Sequence, residues 1–180
     1  MEWLAELFHP VQCIGYLGMA FAISSYQCKR NRMYFLFQAL CGVFFAIQLW
    51  ILGSPSATFM NILGIVRGVL FCLDRRYRKP IMLILLMVSY VVFSLVSVLA
   101  LNEAWWIALL LLVAQSGGTL AMWKQDGKLI RFTQLFLISP IWIINNAIYF
   151  SVGGLIGESF NAISVIVSLI RFRNTKLDSD

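Results

Sequence analysis

At 180 residues, of which 61% are apolar and 12% charged, the chain has too little polar surface to coat a soluble globule of its length. Its formal charge of +6 and pI near 9.4 would fit a nucleic-acid binder only if the basic residues formed a face, and they stand instead in clusters between long apolar runs. Composition therefore argues against a soluble enzyme and against a nucleic-acid partner, and makes the lipid bilayer the principal solvent.

The first residues carry Glu2 and Glu6 in place of Lys or Arg and show no small-residue cleavage site, so no removable signal peptide is expected. A hydrocarbon core about 30 Å thick takes about 20 apolar residues in a helix. Seven segments meet that need: 10–27, 33–52, 57–73, 81–101, 105–123, 132–152 and 155–170. Pro10 and Pro80 stand where helices begin, a position whose N–H is unpaired in any case. His9, just before Pro10, reads as a helix-cap neighbour and has no Cys or His at metal-ligand spacing. The cysteines Cys13, Cys28, Cys41 and Cys72 fall in apolar runs or at their basic ends, so neither a disulfide framework nor a metal or other cofactor is expected.

Of the 14 Lys and Arg residues, 13 lie at one set of helix ends, in clusters around Arg30, Arg76, Lys128 and Arg173, and none lies at the opposite ends. Positive residues are retained on the cytoplasmic side, so the N-terminus is expected outside, or periplasmic if the membrane is a bacterial inner one, and the C-terminus inside. The outer turns are the short segments 53–56, 102–103 and 153–154.

Charge placement also divides the chain. Residues 1–79 form one three-helix unit, 80–102 a linker helix without a charged residue in its apolar run, 103–173 a second three-helix unit with the same charge pattern, and 174–180 a short cytoplasmic tail. The expected fold is thus an all-α membrane protein of seven transmembrane helices in a 3+1+3 arrangement of two parallel repeats. Residue-level matches are sparse: Gln38 with Gln134, Gly53 with Gly153 and Asn61 with Asn161, the offset changing from 96 to 100 between the first and second pairs. An offset of 104 would pair Arg67 with Arg171 instead.

The run from Gly53-Ser-Pro-Ser-Ala57 into Asn61 and Arg67, with Trp142-Ile-Ile-Asn-Asn146, Gly153-Gly-Leu-Ile-Gly-Glu158 and Ile170-Arg-Phe-Arg173, resembles the YgjV family of bacterial inner membrane proteins over most of the chain. The 3+1+3 plan is further similar to the SWEET, PQ-loop and PnuC superfamily of small-solute transporters. That resemblance implies two bundles around a central site and matches Asn61 and Asn161 to the substrate-contacting asparagine of SWEET-type repeats. The chain departs from the pattern at the Pro-Gln pair of each first helix, reading Ser24-Ser-Tyr-Gln27 and Leu120-Ala-Met-Trp123 there. Pro140 in helix 6 is a candidate kink without a counterpart in helix 2.

Polar side chains within the hydrocarbon region are costly and should face the bundle interior. Counting from the outer turns, Asn61 and Asn161 lie about 12 Å inward, Asn145 and Asn146 about 10 Å, and Gln115 with Ser116 about 15 Å. They share a layer, where Trp50, Trp142, Tyr149 and Phe150 offer stacking surfaces. Interhelical packing is the competing role for each amide. Glu158 reads either as a dipole-complementing first-turn residue or as a coupling carboxylate; Arg67 reads either as a snorkelling cation or as a pore-lining one.

No phosphate loop, nucleophile triad or carboxylate pair appears, so an enzyme is not expected. The expected function is transport of a small, mostly uncharged polar solute by alternating access. The alternative is a membrane-embedded binding or accessory protein that does not transport. A homodimer is allowed and not required, because seven helices can enclose a whole site.

Overall fold

The computed structural model describes residues 9–72 and 79–171. Glu2 and Glu6, the basic cluster of Arg75, Arg76 and Arg78, and Arg173 with Lys176 lie outside the described residues. Among the described residues the fold is all-helical. Its rods are α1 (Pro10–Gln27), α2 (Asn31–Ile51), α3 (Pro55–Cys72), α4 (Pro80–Leu101), α5 (Trp105–Lys124), α6 (Gly127–Ile148) and α7 (Val152–Arg171).

Local chemistry explains the boundaries. The His9 imidazole accepts the Val11 amide at 3.4 Å, and Pro10 opens α1. Asn102 at φ 53° ends α4 and Gln125 at φ 54° ends α5, both in the left-handed region that stops a helix. Asp126 then caps α6 by accepting the Lys128 and Leu129 amides at 2.8 and 3.2 Å. The stretch around Lys128 and Arg131, expected as a basic loop, is therefore mostly helix, and α6 starts at Gly127 instead of Phe132. At the other end Phe150, at φ 50°, stops the chain early, so Gly153 and Gly154 form the first turn of α7 and not the turn before it.

Six helices among the described residues are long and apolar enough to cross a membrane, not the seven expected. The exception is α1, whose 18 residues include Gln12, Ser24, Ser25, Tyr26 and Gln27. Most of its polarity is directed inward: Gln12, Ser25 and Tyr26 are buried and Gln27 half-buried, while the exposed Ser24 donates to the Ala20 carbonyl of its own helix.

The packing order closes on itself. α1 packs on α2 and α7, α2 on α3, α3 on α5, α5 on α6, and α6 on α7, while α4 lies against α3 and α5. The surface is apolar, as on α4, where Ile84, Leu85, Val88 and Leu95 are all more than half exposed. The interior holds the amides, hydroxyls and two arginines. This inverted distribution is what a lipid solvent selects, since lipid offers no partner to a polar side chain. Where the rods carry their basic ends, Tyr26, Tyr34, Phe35, Phe71 and Trp123 form a chain of ring contacts with centroids 5.5–5.9 Å apart.

Candidate functional site

The irregular stretch of α6 comes from one residue. Pro140 has no N–H to give the carbonyl four residues back, and the hydrogen-bond ladder shifts by a residue over Gln134–Ile138. Within this π-helical segment the Ser139 amide bonds the Gln134 carbonyl. The extra residue turns Gln134 and Ile138 toward a cavity and leaves the Ser139 hydroxyl beside Glu158. Pro140 thus re-aims side chains in addition to bending a rod.

That cavity has a volume of about 70 Å³ and is lined by α1, α2, α3, α5, α6 and α7. That is room for a few waters at roughly 10–15 Å³ each. Seven of the nine candidate residues line it: Asn61 and Arg67 from α3, Gln115 from α5, Trp142 and Asn146 from α6, and Glu158 and Asn161 from α7. A glycine makes room for one polar wall: a Cβ on Gly154 would sit 2.5 Å from the Asn146 amide.

Arg67 does not snorkel. Its side chain is 7% exposed, and its Nη1 donates to Gln115 Oε1 at 2.8 Å and to Thr119 Oγ1 at 3.0 Å. Thr119 donates in turn to the Gln115 carbonyl at 2.7 Å, which commits its one proton. The Tyr90 hydroxyl, 3.0 Å away on α4, is then the donor to Thr119. Gln115 Nε2 reaches the Met60 carbonyl at 3.4 Å. Arg67 Nε is buried without a partner.

On the opposite wall, Glu158 Oε2 accepts the Ser139 hydroxyl at 2.9 Å and Asn161 Nδ2 at 3.4 Å. The Oδ1 atoms of Asn161 and Asn146 are buried and unpartnered. Asn61 is half-buried and bonds back to the Ala57 carbonyl at 2.9 Å within its own helix. With the Tyr26 hydroxyl, four residues of the cavity lining thus carry a buried polar atom without a partner, where such atoms are nearly always satisfied.

Two candidates lie elsewhere. Asn145 is 2% exposed and faces a crevice between α5 and α6 with Trp106 and Ile107, one helical step round from Asn146. Ser116 is half-buried and not on the cavity wall. Of the expected stacking rings only Trp142 lines the cavity, for Trp50 is 65% and Phe150 82% exposed. Tyr149 instead donates to Glu103 at 2.7 Å.

Several contributors were not among the candidate site residues expected from sequence. Gln38 and Gln134 line the cavity, and Thr119 and Tyr90 hold its arginine. Arg131, counted among loop cations, is 3% exposed and binds the Ser168 hydroxyl and the Gly127, Tyr26 and Cys28 carbonyls, joining α6 to α7 and α1. A usable signal existed for Tyr90: Leu86, Tyr90, Ser94 and Ser97 fall at helical spacing and form the buried face of α4.

The model of the Imp-YgjV family, described as bacterial inner membrane protein, matches residues 10–176. No curated protein and no solved structure matches the chain.

Proposed function

We propose, for a chain that belongs to the Imp-YgjV family of bacterial inner membrane proteins, that it carries a small, mostly uncharged polar solute across that membrane by alternating access between two three-helix units. The observation that carries this reading is the cavity, to which α1 to α3 contribute Tyr26, Gln38, Asn61 and Arg67 and α5 to α7 contribute Gln115, Asn146, Glu158 and Asn161. A site shared by two units, with α4 outside it, is where a carried solute would be exposed first to one side and then to the other.

The closed packing order supports the two-repeat plan. α1 meets α7 and α5 meets α3, so the first helix of each unit touches the third helix of the other. The inward-facing polar residues of α1 support a seventh span, since a helix whose amides point into a bundle crosses lipid with an apolar back. Charge asymmetry supports placing the basic ends in the cytoplasm. In place of the paired hinge prolines of SWEET-like proteins, the π segment beside Pro140 gives the second unit one deformable element.

The size of the cavity favours a second reading. About 70 Å³ is far below the roughly 300–1,000 Å³ of pockets for drug-sized ligands, which suits a protein that binds without turnover as well as a carrier caught between openings. A thermal-stability screen of the purified protein against sugars, nucleosides, vitamins and amino acids identifies the ligand, since saturation at 100 times Kd adds about 2.7 kcal/mol. Counterflow of that ligand in proteoliposomes then decides: exchange across the bilayer supports transport, and binding without exchange supports the accessory role.

A further inference from the structure

Arg67 and Glu158 bring a guanidinium and a carboxyl group to one cavity without pairing to each other. Ionisable groups inside a membrane protein ordinarily pair, because an uncompensated charge there is expensive. Among the described residues the acceptors of Arg67 are neutral, Gln115 Oε1 and Thr119 Oγ1, and its Nε is unbonded. The bonds to Glu158 come from neutral donors, Ser139 and Asn161. The free acceptors, Oδ1 of Asn161 and Oδ1 of Asn146, share the helix pair α6 and α7 with that carboxylate. The cavity therefore has a donor pole on α3 and an acceptor pole on α6 and α7.

From this juxtaposition we propose that the ligand is a small zwitterion, a molecule of zero net charge bearing one carboxylate and one ammonium group. The carboxylate takes the open side of the Arg67 guanidinium, and the ammonium takes Glu158 with the oxygens of Asn161 and Asn146. An anion alone would leave Glu158 without a cation, a cation alone would leave Arg67 without an anion, and a polyol would supply neither partner. The cavity of about 70 Å³ restricts the molecule to a few heavy atoms beyond its charged ends unless the walls move. The inference rests on reading this cavity as a solute site.

The test is a thermal-shift titration of the purified full chain at constant ionic strength with glycine, alanine, β-alanine and γ-aminobutyrate, which differ in charge separation. Acetate and glycinamide, each keeping one charge, and glycerol, with none, are the comparisons. At least one zwitterion should act at a concentration about tenfold or more below either single-charge compound, as expected for a second charge-assisted contact. Arg67→Gln and Glu158→Gln should each weaken that response about 10- to 100-fold. The ligand comparison on the unaltered protein stands even if a variant fails to fold. Equal action of acetate, glycinamide and glycine would overturn the proposal. Stabilisation by sugars or nucleosides with none by zwitterions would overturn it while leaving the solute site standing. Silence from every class would remove both.

Discussion

The Tyr149 hydroxyl donates to Glu103 Oε1 at 2.7 Å, while Oε2 of the same carboxylate accepts the Ser56 amide at 2.9 Å. One acid at the start of α5 thereby joins the start of α3 to the end of α6. Burial first, and the Glu103 carboxylate second, push the Tyr149 phenol up to about 12 from 10.0. A phenol whose folded value lies above its unfolded one adds stability that is complete below pH 10 and lost as the pH rises toward 12. Thermal midpoints of the unaltered protein should fall across that window, and Tyr149→Phe should flatten the fall while costing about 0.5–1.5 kcal/mol at neutral pH. An unchanged pH profile in the Phe variant would break the link.

At the same end, Gln12 Oε1 accepts Gln48 Nε2 at 3.0 Å and the Gly153 amide at 2.9 Å, tying α1, α2 and α7 together. Gln12→Leu leaves both donors buried without an acceptor. Its expected effect is a loss of about 1–2 kcal/mol, above the average for membrane interhelical bonds because two donors are stranded. Denaturation in detergent reads this directly, and a loss below a few tenths of a kcal/mol would mean that neither bond matters.

Membrane orientation is open to cysteine labelling. Ser56 and Gln125, natural choices from sequence as turn residues, are 0% and 8% exposed and would label poorly. Ala104 and Lys124 are exposed at opposite ends of α5. In a protein with Cys13, Cys28, Cys41 and Cys72 replaced, Ala104→Cys should react with an impermeant maleimide added to intact cells, and Lys124→Cys only after the membrane is opened. The reverse pattern would invert the topology, and same-side reaction would contradict the helix count.

Much of the architecture was legible in the sequence because a bilayer demands a fixed length of apolar helix, and proline starts such as Pro10 and Pro80 mark its edges. Polarity at depth likewise flagged six residues that now share a cavity with Trp142, which was expected there for its ring. What the sequence concealed was side-chain direction. Asn145 and Asn146 are neighbours in the chain, yet the helical step of about 100° puts one in an apolar crevice and the other at the cavity. The left-handed residues Gln125 and Phe150 moved both ends of α6, because nothing in their types announces that geometry. Arg131 shows the other failure: its place in a run of basic residues suggested solvent, whereas its partners come from α1 and α7, far away in the chain.

Alternating access is tested most directly at Gly64, which lines the cavity and where an added Cβ meets only the tip of Arg67, at 3.8 Å. Gly64→Cys, placed in the cysteine-free protein, can be offered a charged, impermeant methanethiosulfonate from the outside in intact cells and from the inside in inverted vesicles. Alternating access predicts modification from both faces, with each reaction slowed by a ligand found in the stability screen. A cavity that reacts from one face only, or from neither, would contradict transport through this site.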